Sequence, residues 1–264
     1  MPRLPQRGAP ELTRTPAPVL AVAALAVLLA GCGLPPLTGA APGGRSHAPT
    51  DVAAPGPGTT TSLPRTSTPT ISAAQARVAL SQLSALPVKG RAPKTGYSRE
   101  QFGPAWTDDI DVAGGHNGCD TRNDVLRRDL TAERLKPGTR GCVVLSGRLA
   151  DPYTGRVIAF ERGASSSKVQ IDHVVALGDA WVKGGQRLTR VQRISLANDP
   201  LNLLAVDGPT NSAKRDSDAA SWLPPNRGFR CTYVARQVAV KTRYHLWVTA
   251  AEKAAVARVL NGCR

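Results

Sequence analysis

A proline-rich segment near the start of the chain sets the limits of the folded domain. Residues 33–70 contain eight prolines, many glycine, serine and threonine residues, and few large apolar side chains. Such a composition cannot bury enough apolar surface to offset the entropy lost on ordering, and it is typical of a semi-extended linker. We therefore predict a tether over residues 32–70 and one folded domain over residues 71–264, which is long enough to form a real hydrophobic core.

The residues before the tether have the pattern of an export signal. Three arginines precede a short apolar run from Val19 to Ala30, and this run is shorter than the ~20 residues that a spanning helix needs. The pattern predicts a signal peptide over residues 1–31. The run ends in Leu29-Ala-Gly-Cys32, which resembles the lipobox of bacterial lipoproteins. The resemblance implies acylation of Cys32 and a protein that is lipid-anchored to the outer face of the cytoplasmic membrane; an ordinary secretory peptide would instead give a secreted protein.

Four further cysteines lie in the predicted domain, at positions 119, 142, 231 and 263. In an exported protein, four cysteines indicate two disulfides, and three pairings are possible. We favour Cys119–Cys142 and Cys231–Cys263, because each pair joins segments that are close in sequence. A metal site built from cysteines is disfavoured, since the chain has no Cys-x-x-Cys spacing.

The chain is strongly basic, with a formal net charge of +15 and a pI of about 10.4. Residues 1–31 contribute three arginines and one glutamate, so the remaining chain keeps +13. This charge favours binding to polyanions such as nucleic acid, anionic lipid or acidic wall polymers.

The local patterns predict an α+β domain in which helices outnumber strands. Apolar periodicity predicts the first helix, and Pro209 at a first turn favours another. Thr249 followed by Glu252 predicts a capping box. Helices are expected over residues 71–86, 121–130, 179–183, 189–197, 208–222 and 233–244 and from 249 onward, and strands over 142–148, 156–160, 169–175 and 201–206. The Asp-Pro and Gly signals of residues 151–155 predict a hairpin turn between the first two strands.

Asp172 and His173 are the most informative residues for function. They are neighbours in a short apolar run, and Asn202 and Asn211 follow within about forty residues. A histidine of ordinary pKa, near ~6.5, can accept a proton from water around neutral pH. An adjacent carboxylate can hold a metal ion beside that base.

These residues resemble the motif of HNH endonucleases, the ββα-metal nucleases. The wider sequence resembles a bacterial subfamily related to the C-terminal domain of GmrSD restriction enzymes, whose members are often exported in actinobacteria. The resemblance covers about residues 97–250. The strings that carry it are Gly118-Cys-Asp-Thr-Arg-Asn-Asp-Val-Leu126, Ser146-Gly147, Asp151-Pro-Tyr-Thr-Gly155, Ile171-Asp-His-Val-Val175, Asn198-Asp-Pro-Leu-Asn-Leu203 and Ser221-Trp-Leu-Pro-Pro225.

The resemblance implies a metal-dependent endonuclease with a ββα-metal HNH core, surrounded by additional helices and a β-hairpin. It assigns the general base to His173, the metal to Asp172 and Asn211, and an orienting role to Asn202. Lys214 lies three residues after Asn211 and can share its helix face, so it is a candidate phosphate contact together with Arg215; a solvated basic face is the alternative.

One carboxylate and one amide oxygen form a hard donor set, which predicts Mg²⁺, with Mn²⁺ also suitable and Zn²⁺ disfavoured. DNA is the expected partner, RNA remains open, and no protein partner is implied. The alternative is a non-catalytic basic lipoprotein that binds nucleic acid or anionic envelope polymers. A conflict also remains, because a regular strand sends Asp172 and His173 to opposite faces. Either the backbone departs from regularity there, or the metal role of Asp172 is wrong.

Overall fold

Helices and strands are mixed along residues 70–263, the part of the chain that the computed structural model describes. The predicted signal peptide, Cys32 and all but the last residue of the tether lie outside the described residues. The elements form an α+β fold, as predicted. The helices are α1 (Ala73–Ala85), α2 (Thr121–Asp129), α3 (Leu177–Val182), α4 (Arg190–Asn198), α5 (Gly208–Lys214), α6 (Arg230–Arg243) and α7 (Ala250–Asn261). The strands are β1 (Leu130–Leu135), β2 (Val144–Ala150), β3 (Val157–Glu161), β4 (Val169–His173) and β5 (Leu203–Asp207).

The strands form two antiparallel sheets. In one sheet β2 lies between β1 and β3, and in the other β4 pairs with β5. The predicted hairpin is confirmed as β2 and β3, which flank the turn that begins at Asp151. That turn is stabilised locally, because the Asp151 carboxylate accepts hydrogen bonds from the backbone and hydroxyl of Thr154. Gly155 closes it at a φ of +75°, a conformation that glycine adopts without steric cost.

The β4–β5 pair is covered on both faces, which explains its nearly continuous apolar sequence. On one face Ile171 and Leu203 join the cluster that contains Leu126 of α2. On the other face Leu204 joins the cluster that contains Tyr233 of α6. The site residues on β4 are therefore held in a pair of strands that is packed from both sides.

Helix α1 and the two disulfides support this core from outside. The buried face of α1 is formed by small and apolar residues at helical spacing, Ala76, Ala79 and Leu83, and it packs against α6 and α7. Both predicted disulfides are present. Cys119–Cys142 fixes the segment before α2 to the segment before β2, and Cys231–Cys263 joins α6 to the residues that follow α7.

Apart from shifts of up to about three residues at the ends of elements, three details differ from the sequence-based expectations. Helix α5 ends at Lys214 instead of near residue 222, because Arg215 adopts a non-helical φ of 53° and ψ of −137°. Strand β1 was not predicted; most of its residues are exposed, so it lacks the alternating apolar pattern. Thr249 caps α7 as predicted, but the Glu252 side chain does not complete the capping box. It is fully buried and binds two lysine ammonium groups instead.

Candidate active site

The end of β4 borders a cavity of about 260 Å³. Three of the residues singled out in the sequence, Asp172, His173 and Asn211, line this cavity, whereas Asn202 and Lys214 are buried nearby. The remaining lining residues are Tyr97, Arg99, Gln170, Ile171, Ala176, Leu177, Ser212, Arg215 and Asp216. The fold thus brings one strand end and the helix α5 together around a polar space.

His173 is buried and held in one orientation. Its Nε2 lies 2.9 Å from the carbonyl oxygen of Ala197, so Nε2 carries the proton and Nδ1 keeps the unshared pair in the neutral ring. The indole of Trp106 stacks on the imidazole with ring centroids 5.9 Å apart and an angle of 10°. Burial lowers the pKa of His173 to about 4, and Arg99 and Lys214 act in the same direction. The ring is therefore neutral at neutral pH, and this pKa makes it a weaker base than the ordinary imidazole expected from the sequence.

Asp172 is buried and accepts hydrogen bonds at both carboxylate oxygens. The Tyr153 hydroxyl donates to Oδ2 at 2.5 Å, and the Lys214 ammonium donates to Oδ1 at 2.9 Å. Burial raises the pKa of Asp172, although Lys214 and Tyr153 oppose this shift. Burial also raises the pKa of Tyr153 well above its ordinary value, so the phenol stays a donor to the carboxylate.

Strand β4 stays regular at the two site residues, so their side chains point to opposite faces. The pairing with β5 stays regular through both residues, since Asp172 lies opposite Leu204 and His173 opposite Leu203. The two side chains accordingly have different neighbours, with Tyr153 beside the carboxylate and Trp106 beside the imidazole. Because β4 ends at His173, both residues still border the same cavity. The backbone thus shows no departure from strand geometry, and the metal role of Asp172 stays a prediction.

Asn202 joins the chain that follows His173 to the end of α4. Its Oδ1 accepts from the Val175 amide at 2.8 Å, and its Nδ2 donates to the carbonyl oxygens of Val175 and Leu196. Leu196 directly precedes Ala197, whose carbonyl binds the His173 ring. The fully buried Asn202 side chain thus couples the backbone after the histidine to the backbone that orients its ring.

Lys214 occupies a different environment from the surface position expected for a phosphate contact. It is fully buried, and its ammonium bonds to the Asp172 carboxylate and, at 2.8 Å, to the carbonyl oxygen of His173. Lys214 therefore contacts both site residues of β4 through its buried ammonium group, and it does not line the cavity. Arg215 is the exposed cation of this pair, and it lines the cavity.

The donor set suits a hard cation that keeps most of its water. Among residues 70–263 there is no group of three or more His, Cys, Asp and Glu side chains placed to hold a metal. The available donors are the second lone pairs of the Asp172 oxygens and the oxygen of Asn211, whose amide nitrogen donates to Gln170 at 2.9 Å. A carboxylate and an amide oxygen on one cavity fit Mg²⁺ or Mn²⁺ completed by water and phosphate.

Sequence reasoning missed three residues of this site. Tyr153 lies in a string that was read as a turn, and nothing local indicates that its hydroxyl reaches Asp172. Trp106 and Arg99 lie outside the motif strings. All three reach β4 from distant segments, so only the folded chain reveals them.

The fold and the site define a mixed α+β domain with a buried, neutral histidine at the wall of a polar cavity. Residues 120–259, which include Asp172, His173, Asn202, Asn211 and Lys214, match the family described as GmrSD restriction endonucleases, C-terminal domain. This match covers more than half of the chain, and the protein belongs to that family. A nuclease is accordingly the class of activity that the family indicates.

One relative is 41% identical over 190 residues, which cover 71% of this chain and 86% of the relative. It is described as an uncharacterized secreted protein of Arthroderma benhamiae (strain ATCC MYA-4681 / CBS 112371). No solved structure matches the chain. In residues 70–263, none of the helices has the length and apolar character needed to cross a bilayer.

Proposed function

We propose that this protein is a metal-dependent endonuclease of the HNH type that hydrolyses phosphodiester bonds, with DNA as the substrate. The observation that carries the proposal is the state of His173, which is neutral, fixed through Nε2 and placed on a cavity with Asp172 and Asn211. The order of β4, β5 and α5, with Asn211 on the helix, supports a ββα-metal core.

In this proposal His173 is the general base. Its Nδ1 takes the proton of the attacking water, while the Ala197 carbonyl holds the opposite ring nitrogen and Trp106 holds the ring plane. The exposed side chains of Arg99 and Arg215 line the cavity and attract the phosphate. Asn202 and Lys214 are positioning residues, because they contact the backbone at the histidine and not the cavity.

Asp172 and Asn211 would hold Mg²⁺, with Mn²⁺ as a substitute. The bound cation supplies neutralisation of phosphate charge and stabilisation of the leaving oxygen. Tyr153 and Lys214 keep the carboxylate of Asp172 in place, each through a hydrogen bond to one of its oxygens.

The central experiment is a plasmid-nicking assay with Mg²⁺ on protein from a host that lacks contaminating nucleases. His173→Asn should lower the rate at least about 100-fold, since a general base contributes roughly 10²–10⁴. His116→Asn is the matched control, because His116 is exposed, lies outside the cavity and has a φ of 56°, which asparagine tolerates. Thermal unfolding followed by circular dichroism checks that both variants are folded.

The outcomes separate the competing functions. EDTA should stop cleavage by the wild type, and Mg²⁺ or Mn²⁺ should restore it. Undiminished cleavage by His173→Asn would refute the assignment of the base. Binding of DNA without any Mg²⁺-dependent cleavage would instead support the non-catalytic basic lipoprotein. Parallel assays on duplex DNA, single-stranded DNA and RNA identify the substrate.

We further propose that the protein is exported and anchored by acylation of Cys32. The N-terminal pattern and the name of the secreted relative support export, and two disulfides suit an oxidising compartment. Cys32→Ser should move the protein from the membrane fraction to the medium and abolish labelling by a fatty-acid analogue. An unchanged distribution would leave a secreted protein with an ordinary signal peptide.

A further inference from the structure

A second cavity shares a wall with the proposed active site. Its volume is about 400 Å³, which lies within the range of about 300–1,000 Å³ found for small-ligand sites. His173, Arg99 and Leu177 line both cavities. A group bound in the second cavity would therefore lie directly beside the histidine that is proposed to act on the phosphate.

The walls of this cavity have the character of a stacking site. Phe102, Trp106 and Leu177 supply apolar surface, and two of the three are aromatic. Trp106 is partly exposed, although one face of its indole is stacked on His173. Its φ of 59° is uncommon for a residue with a side chain. The Trp106 carbonyl is bound by the Thr121 amide at 3.2 Å, which helps to hold this conformation.

The same cavity contains a polar group without a partner. Asn198 is 1% exposed and lines the cavity, and its Nδ2 donates to the carbonyl of Ile194 at 3.0 Å. Its Oδ1 is buried and accepts no hydrogen bond within the part of the chain that the structure describes. An unsatisfied buried acceptor is destabilising. This oxygen has less than 1 Å² of accessible surface, so a ligand in the cavity reaches it only if the Asn198 side chain turns.

We propose that this cavity binds an unpaired nucleobase of the nucleotide next to the scissile phosphate. A base offers flat faces for the aromatic wall, while Arg99 lies where the base and phosphate cavities meet. This inference rests on the proposed nuclease function. A paired base inside a duplex cannot enter without leaving the stack, which costs a few kcal/mol. The enzyme should therefore prefer single-stranded or locally opened substrate.

The test uses calorimetric titration with two probes that differ only in the base. These are 2′-deoxyadenosine 3′,5′-bisphosphate and the corresponding abasic 3′,5′-bisphosphate. The wild type should bind the first roughly tenfold or more tightly, as expected for one stacked base. Ala105→Trp should fill the cavity and remove this difference, because Ala105 is an exposed lining residue that can carry a larger side chain. Ala164→Trp, an exposed position outside both cavities, is the matched control and should keep it.

A strand-preference assay on the same proteins completes the test. The wild type and Ala164→Trp should cleave single-stranded oligonucleotides faster than duplexes, and Ala105→Trp should lose that preference. Equal affinity of the wild type for both probes, or an unchanged difference in Ala105→Trp, would overturn the nucleobase site. The proposed nuclease function is tested separately. It fails if the wild type shows no Mg²⁺-dependent nicking, regardless of the affinities measured for the two probes.

Discussion

The buried pair of Asp172 and Lys214 provides the sharpest test of how this site is held. Lys214→Met keeps the length of the side chain but removes the charge that faces the Asp172 carboxylate at 2.9 Å. Removing one partner of a buried ion pair costs about 3–5 kcal/mol, because the other charge stays buried. We expect a loss of this size in the free energy of unfolding at pH 8.

The loss should shrink as the pH falls, because Asp172 can take up a proton. The pKa of Asp172 in the unfolded chain is near 3.8. Protonating this carboxylate costs about 1.4 kcal/mol for each unit by which the pH exceeds that pKa. At pH 5 the carboxylate contribution therefore cannot exceed about 1.6 kcal/mol. What remains is the lost hydrogen bond to the His173 carbonyl, which is worth about 1–3 kcal/mol if that oxygen is left unpaired.

The assay is urea unfolding in EDTA with the disulfides intact, for the wild type, Lys214→Met, Asp172→Asn and the double variant. In the Asp172→Asn background the Lys214 ammonium is itself buried without a counter-charge. Lys214→Met removes that unpaired charge and should therefore cost far less at pH 8 than it does in the wild type. Equal costs in both backgrounds at pH 8 would refute the reasoning. So would a cost that does not change between pH 8 and pH 5.

Three further predictions follow from other buried groups. Burial lowers the pKa of His173 from 6.5 to about 4 in the folded protein, so the stability that the neutral ring contributes is complete above pH 6.5 and is lost as the pH falls toward 4. The difference in unfolding free energy between the wild type and His173→Gln, measured in EDTA, should change by about 3 kcal/mol between these pH values. A difference that does not change with pH would contradict the buried neutral ring. Glu252→Gln should destabilise the fold by about 1–3 kcal/mol in urea unfolding, because the buried carboxylate loses its charged hydrogen bonds to Lys183 and Lys241 while both lysines keep Asp179 as a partner. Unchanged stability would show that the cluster is solvated. Cys263→Ser, which opens the disulfide to Cys231, should lower stability by about 2–4 kcal/mol under oxidising conditions, and equal stability of variant and wild type would show that the bond does not form in solution.

Local signals in the sequence were sufficient for most of the elements. The first helix, the hairpin of β2 and β3 and both disulfides follow from periodicity, turn residues and cysteine spacing, all of which act over short stretches of chain. The end of α5 did not follow, because the backbone at Arg215 turns out of the helix at a position that has no local stop signal. Strand β1 was missed because its side chains are mainly exposed and its partner is a distant strand.

For the site, the sequence identified the residues but not their surroundings. The resemblance to the HNH motif selected Asp172, His173, Asn202, Asn211 and Lys214, and their catalytic and metal-binding roles stay predictions. Their protonation and hydrogen bonding depend on groups far away in the chain, because burial and partner distances are properties of the packed domain.

The sequence by itself indicated a basic, disulfide-bonded α+β domain with an acid and a histidine adjacent on one strand, and the export signal and tether before it stay predictions. The tertiary structure decided that Lys214 is buried behind that strand and that Tyr153 anchors the acid. It also decided that Trp106 stacks on the histidine and forms the wall of a second cavity. The reason is physical: composition and spacing act along the chain, whereas burial, charge pairing and stacking depend on which distant segments are packed together.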